Sequence, residues 1–338
     1  MNESNRESMK RYNLPLGDRT PEHFSIEHPS FVESWLKQPM RHFGYPFYTA
    51  LVNQWLLLTH GKDAPFHIDK WLWGQRGNDP ESHRRRINRL LPLTGKNVLI
   101  AGCGTARDVP SWLVHRPASL VGVDYFSYEK AWQMRLKYFH QHFPRTKVSF
   151  VQAELSHLDE FEDEHFDVIG SDAVFEHLNN LPSVLREFWR LLKPGGILYA
   201  SFGPLWNCWG GDHISGYDSF AGGYNHLLLD QGEYKTYVAR SGQFVHSELD
   251  GRTWIEHDMF SHLRPSEYLD LLTKKGFESI FTCAALDPRA VRYLRLYPVQ
   301  KERLLGLTPH RMDLLVTAMA LIFRKPNNDH PLDNKIPN

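Results

Sequence analysis

Two glycines one residue apart, Gly102 and Gly104, close a short apolar run in NVLIAGCGTARDVPSWL, and a helical pattern opens behind them. Glycine at such a strand-to-helix turn lets the backbone come close to a ligand, and the first N–H groups of the helix suit a polar, nucleotide-type one. Asp124 ends the next apolar run, in VGVDY, at the distance where a carboxylate can accept hydrogen bonds from both hydroxyls of a ribose. Glu154 ends a third run, FVQAEL, where an acid near an adenine amino group is expected. A dinucleotide fingerprint would require a third small residue at position 107, and Arg107 stands there. The loop is thus poorly suited to a nicotinamide cofactor.

Two histidines have neighbours that could give them work. His177 follows the fourth apolar run in Phe175-Glu176-His177, and His213 lies in Gly210-Gly211-Asp212-His213, where glycines could turn the ring into a pocket and an acid stands beside it. Imidazole titrates near neutral pH and suits removal of a proton from an acceptor. Each also has a plain structural reading, and with 19 histidines in the chain one near any pocket is unsurprising. Asp212, His213, His226, His257, Asp258 and His262 crowd one stretch, but their spacing matches no tight metal motif, so no metal is expected. Arg84, Arg85 and Arg86 spread around one helix and read as a solvated face.

The elements that must carry these residues alternate. From Lys96 onward, apolar strands (NVLIAG, SLVGVDY, KVSFVQAE, FDVIGSDAV, ILYASF) alternate with helices, the last of them LPSVLREFWRLLK, halted by Pro194-Gly195-Gly196. That rhythm implies a mostly parallel sheet covered on both faces. Between 204 and 262 it breaks into a Gly- and aromatic-rich stretch, WNCWGGDHISGYDSFAGGYNH, beyond the C-terminal end of the fifth strand, on the ligand side of such a sheet. The rhythm then returns as a helix (RPSEYLDLLTKKGF) and two strands (FESIFTCAAL and MDLLVTAMALIFRK). The first twenty or so residues read as a loose arm, and the chain from there to Pro92 as helical.

The bulk numbers set bounds. The 338 residues are 41% hydrophobic and 23% charged, which allows a packed core. Lys+Arg and Asp+Glu are both 39, so the basic excess of a dedicated nucleic-acid binder is missing. Cys103, Cys208 and Cys283 are too sparse for a disulfide framework or a thiolate zinc site. No signal-peptide core and no membrane-length apolar run is visible, and a cytoplasmic protein is expected.

The ordered set AGCGTARD, VGVD, VQAE, FDVIGSDAVFEH and LREFWRLLKPGG resembles the class I S-adenosylmethionine-dependent methyltransferases, particularly their small-molecule and quinone branch. The resemblance covers roughly Lys96 to Gly203 and the elements near the C-terminus. It implies a Rossmann-like α/β sandwich of seven strands, the last antiparallel, with S-adenosylmethionine as cofactor. By position, Ala101, Gly102 and Gly104 would line its methionine end, Asp124 would hold the ribose, and Tyr125 or Phe126 would flank the adenine. Glu154 and Leu155 would meet the adenine edge, and Asp172 and Ala173 would lie beneath the sulfonium. Two positions depart from the family: Ile100 where an acid is common, and Ala106 where glycine is. Arg107 could pair with the methionine carboxylate in compensation.

The expected organisation is an arm and helical cap (1–95), a cofactor-binding core (96–203), a lid (204–262), the rest of the core (263–325) and a tail (326–338). Trp206, Trp209, Tyr217, Phe220 and Tyr224 suggest an aromatic lid over a planar or apolar acceptor, with Phe43, Tyr45 and Phe47 closing the other side. Their plain alternative is the core of a small subdomain. The expected function is methylation of oxygen or nitrogen on a small molecule, and fold-level analogy points to secondary metabolism. The alternatives are a macromolecule-modifying enzyme, disfavoured because SDAVFEH stands where an N-P-P-[YF] motif would, and a protein of this fold that has lost methyl transfer.

Overall fold

The computed structural model describes residues 24–27, 80–216, 218–241, 251–308 and 310–327. Phe43, Tyr45, Phe47 and Tyr217 lie outside these. Among the described residues eight strands form one sheet: β1 (Phe24–Glu27), β2 (Asn97–Ala101), β3 (Ser119–Asp124), β4 (Lys147–Gln152), β5 (Phe166–Asp172), β6 (Leu192–Phe202), β7 (Glu278–Leu286) and β8 (Val316–Arg324). Their spatial order is β1-β7-β8-β6-β5-β2-β3-β4. Only β8 runs antiparallel to its neighbours, β6 and β7. The seven strands and reversed last strand expected from sequence are all present.

The eighth is a correction. Phe24–Glu27 falls where a helical pattern was expected, yet it pairs parallel to β7 from Phe24↔Thr282 to Glu27↔Ala285. The edge of β7 offers a row of unpaired backbone groups, and four residues suffice to cover part of it.

Helices α1 (Pro80–Leu90), α2 (Pro110–Leu113) and α3 (Glu129–His142) belong to the N-terminal half. The others are α4 (Leu181–Leu191), α5 (Asn225–Leu228), α6 (Gln231–Ser241), α7 (Gly251–Glu256), α8 (Pro265–Lys275), α9 (Pro288–Leu296), α10 (Pro298–Leu305) and α11 (Arg311–Leu315). In α4 the buried residues Leu181, Val184, Leu185, Phe188 and Leu191 recur at helical spacing and form one apolar stripe. Pro194-Gly195-Gly196 does not separate α4 from its strand. Instead β6 begins at Leu192 and bulges, its register jumping from Phe166↔Leu192 to Val168↔Ile197. The bulge is pinned where Gly195 N donates to Lys325 O at 2.8 Å. Helices α9 to α11, between β7 and β8, were not anticipated.

Side chains alternate across the sheet and divide the core in two. One cluster holds Leu99, Ile169, Leu198, Phe188 and Tyr268. The other holds Val98, Ile100, Val168, Tyr199 and Trp112. The strand order reverses direction between β2 and β5, so the crevice at their C-terminal tips is where an open α/β sheet takes its ligand. The glycine turn and the tip of β5 stand there.

Candidate active site

The glycine turn is held from below. Gly102 N and Cys103 N both donate to Val123 O, at 2.8 and 3.0 Å, and Trp132 Nε1 donates to Gly104 O at 2.7 Å. Gly102 sits at φ +73°, and a Cβ there would come within 2.1 Å of Val174 Cγ2, so only glycine fits. At Gly104 nothing lies within 4 Å of the same position, which leaves the turn open on its outer side. Ala106 also adopts a positive φ, 62°, where the family's glycine would be at ease.

Asp124 closes this cradle. Its Oδ2 accepts from Gly104 N at 2.7 Å and its Oδ1 from Phe126 N at 3.0 Å, so the carboxylate fastens the turn as well as facing the crevice. Burial pushes its pKa up, against those backbone donors, which pull it down. Tyr125 is exposed beside it, its ring edge-on to Phe126 at 5.2 Å. Ala101 and Leu155 are buried. Glu154 is exposed and accepts from Ser156 Oγ at 2.7 Å. Arg107 is 79% exposed and pairs with Asp108 at 3.5 Å, so it does not turn inward.

At the tip of β5, Asp172 meets Arg84, whose place in a run of three arginines reads as a solvated face. Arg84 of α1 is 1% exposed and forms an ion pair with the Asp172 carboxylate. Tyr199 Oη donates to Asp172 Oδ1 at 2.7 Å. The guanidinium lies 4.6 Å above the Trp112 ring, and Trp112 in turn packs where Gly170 has no side chain. Arg86 also leaves the solvated role, stacking 3.7 Å from the centre of Phe281. A run of three arginines hides this, because the partner that buries the first is 88 residues away. Ala173, next to Asp172, takes φ 56° and donates its N–H to Ser201 O at 2.7 Å.

Val174 touches Gly102, and the 3-10 turn Phe175–His177 follows directly. The structure brings His177 and His213 together there, their ring centres 5.0 Å apart. Trp254 lies 4.5 Å from His177 and 5.0 Å from His213, and Phe260 stands at 5.5 and 5.7 Å. Trp206 extends the group, 4.9 Å from Phe260. Trp254 and Phe260 carried no signal in the sequence beyond their aromatic character. Burial pulls both imidazole pKa values down, His213 to about 3, so both rings are neutral near pH 7. His177 Nδ1 lies 2.8 Å from Met259 O, which fixes it as the N–H nitrogen and leaves Nε2 with the lone pair. His213 Nε2 is buried and finds no hydrogen-bond partner among the described residues.

Asp212 does not orient His213. It accepts from Ser215 N, Ser215 Oγ and Tyr234 Oη, each at 2.7 Å, and lies 3.8 Å from His226 Nδ1. It shapes the turn from Asp212 to Ser215. Trp209 and Tyr224 join the main core cluster with the strands, not the core of a separate small subdomain. Among the described residues no three His, Cys, Asp or Glu side chains gather as a metal set. A groove lined by Asp218, Leu229, Glu233, Thr236, Tyr237 and Arg240, in the chain stretch 218–240, takes in neither His177 nor His213.

Residues 99–200 match the family model described as a methyltransferase domain. Over these residues the chain carries a methyltransferase domain. It is similar to an arsenite methyltransferase of Aquipseudomonas alcaligenes, with 40% identity over 114 residues, 32% of this chain and 33% of that one. A mitochondrial ubiquinone biosynthesis O-methyltransferase of Rattus norvegicus is 28% identical over 165 residues, 45% of this chain and 44% of that one. The chain therefore spans between a third and a half of the length of these curated relatives. A solved phosphoethanolamine N-methyltransferase 2 of Haemonchus contortus, in complex with S-adenosyl-L-methionine, aligns with TM-score 0.45 and 17% identity over 81% of this chain and 60% of its own.

The residues present fit an adenosyl cofactor. The glycine turn is open on its outer side at Gly104, Asp124 presents a carboxylate at the tip of β3, and Tyr125 offers an exposed ring beside it.

Proposed function

We propose that this protein transfers a methyl group from S-adenosylmethionine to oxygen or nitrogen of a small acceptor that lies against the His177–His213 group. The observation that carries this is the meeting of the two imidazoles in an aromatic enclosure that begins three residues after Val174, which itself touches the glycine turn. Asp124, with Tyr125 and Phe126, would bind the adenosine part, and Ala101, Gly102 and Gly104 would line the methionine end, with Asp172 and Ala173 beneath the sulfonium. The cofactor supplies an electrophilic methyl carbon, so the protein's share is to orient the acceptor and take up its proton.

His177 is better suited than His213 to take that proton. Its Nε2 carries the lone pair once Nδ1–H is committed to Met259 O, whereas a ring with a pKa near 3 is a weak base. His213 Nε2 instead offers the acceptor a hydrogen bond from a site where it has none. The neutral rings and the indoles of Trp206 and Trp254 favour a planar or apolar acceptor.

The arsenite methyltransferase relative raises a second reading, a soft metalloid acceptor. Such an acceptor calls for thiolates. Cys208 is buried, its thiol pushed up to about 12, and burial pushes Cys103 up as well. The oxygen or nitrogen acceptor is the better supported.

The test is formation of S-adenosylhomocysteine when the full chain is given S-adenosylmethionine and a panel of phenols, catechols, amines and arsenite. Turnover with a phenol or amine is expected, with His177→Asn lowering kcat about 10²–10⁴-fold and leaving S-adenosylhomocysteine affinity unchanged. Binding of the cofactor without turnover on any acceptor would turn the reading toward a protein that has lost methyl transfer.

A further inference from the structure

The Arg84–Asp172 pair has features that a structural ion pair does not need. Asp172 stands at the tip of β5, one residue beyond the Ala101↔Ser171 pairing, and is therefore level with Gly102 of the glycine turn. It shares a sheet face with Ile100, which is apolar and buried, so the adjoining tip of β2 presents no carboxylate. The Arg84 side chain is 1% exposed but that of Asp172 is 21% exposed. The cation is thus sealed beneath the sheet tip, while the carboxylate it holds still faces the crevice.

Everything around the guanidinium fixes that carboxylate. Arg84 reaches Asp172 Oδ2 with one nitrogen and lies 3.5 Å from Oδ1 with another. Tyr199 Oη donates to Oδ1 at 2.7 Å. Trp112 supports the guanidinium from below, in the space that Gly170 leaves. These three donor contacts leave part of the carboxylate's accepting capacity unused, suited to an ammonium group.

We propose that Arg84, with Tyr199, is a positioning residue for the amino-acid end of the adenosyl ligand: it holds Asp172 so that the carboxylate meets the ligand's α-ammonium group. This rests on the cofactor site proposed above. It makes helix α1, which lies before the matched methyltransferase domain, part of that site.

The experiment measures binding of two probes to the full chain by calorimetry. S-adenosylhomocysteine carries the amino-acid end, and 5′-methylthioadenosine lacks it. Arg84→Met should weaken S-adenosylhomocysteine about tenfold or more while 5′-methylthioadenosine changes less than about twofold, and Arg84→Lys should recover part of the loss. Equal weakening of both probes, or of neither, overturns the proposal, since a merely structural arginine would not distinguish them. If Arg84→Met does not fold, Tyr199→Phe removes a single donor from the same carboxylate and should give a smaller selective loss, and an unselective effect there overturns the proposal too. A wild-type chain that binds neither probe overturns the cofactor site itself. One that binds both, with selectivity unmoved by either variant, overturns only the role of Arg84 and Tyr199.

Discussion

Glu176 Oε1 accepts the backbone N–H of Gly203 at 3.0 Å. The carbonyl of the same residue accepts from Ser261 N at 2.8 Å, and His177 Nδ1 reaches Met259 O. One turn after β5 thus ties the end of β6 at Gly203 to the segment at Met259 and Ser261. Removing the Glu176 carboxyl leaves a buried N–H without its partner. Glu176→Ala is expected to cost about 1–3 kcal/mol in chemical denaturation, whereas Glu176→Gln keeps an acceptor and costs less. Equal stability of both variants would show that the Gly203 bond does not hold this junction.

The same carboxyl sets a pH dependence. Burial pushes Glu176 up to about 8 from an ordinary value of 4.5, so the folded protein keeps a proton that the unfolded chain releases. Its contribution is full below pH 4.5 and declines as pH rises toward 8. His213 runs the other way. With its pKa lowered from 6.5 to about 3, its contribution is full above pH 6.5 and declines as pH falls, and His177 is shifted in the same direction. Stability from these three groups therefore peaks near pH 6.5. Between pH 6.5 and 8 Glu176 alone among them titrates, for a loss of about 2 kcal/mol. Denaturant midpoints at the two pH values should show that loss in the wild type and its absence in Glu176→Gln.

The central strands were legible because they bury apolar runs, β2 over four of its five residues and β5 along nearly its whole length, and a strand covered on both faces has no solvent face to interrupt the pattern. The glycine turn was legible because Gly102 and Gly104 do what other residues cannot. Arg84 was not, since burial of an arginine depends on a carboxylate far along the chain. The helix pattern around it is the same whether that partner exists or not. His177 and His213 could each be named from sequence, but not their meeting, since they stand 36 positions apart in the chain and nothing local to either one encodes the contact. The Phe24–Glu27 strand is set by the edge of β7, a demand that four residues of sequence do not carry.

Gly170 offers a test of the layer beneath Asp172. A Cβ there would lie 2.4 Å from Trp112 Cζ2, so the indole must move, and Arg84 rests on that indole. Gly170→Ala is expected to destabilise by about 1–3 kcal/mol and to weaken S-adenosylhomocysteine more than 5′-methylthioadenosine. A variant with wild-type stability would mean that Trp112 has room the packing does not show.

Asp124 is the residue on which the cofactor site depends most directly. Its two oxygens fasten Gly104 and Phe126, and their remaining lone pairs are those a ribose would use. Asp124→Ala removes both functions at once and is expected to weaken S-adenosylhomocysteine about 10–100-fold, the worth of hydrogen bonds to a charged group. Asp124→Asn retains one acceptor oxygen, and its amide cannot accept from a second donor, so an intermediate loss is expected. The two variants separate fastening from recognition: if Asn restores the melting temperature but not the affinity, the ribose contact is the larger part. Unchanged affinity in Asp124→Ala would mean that the adenosyl ligand does not sit on this carboxylate, and the glycine turn would have to hold it by backbone alone.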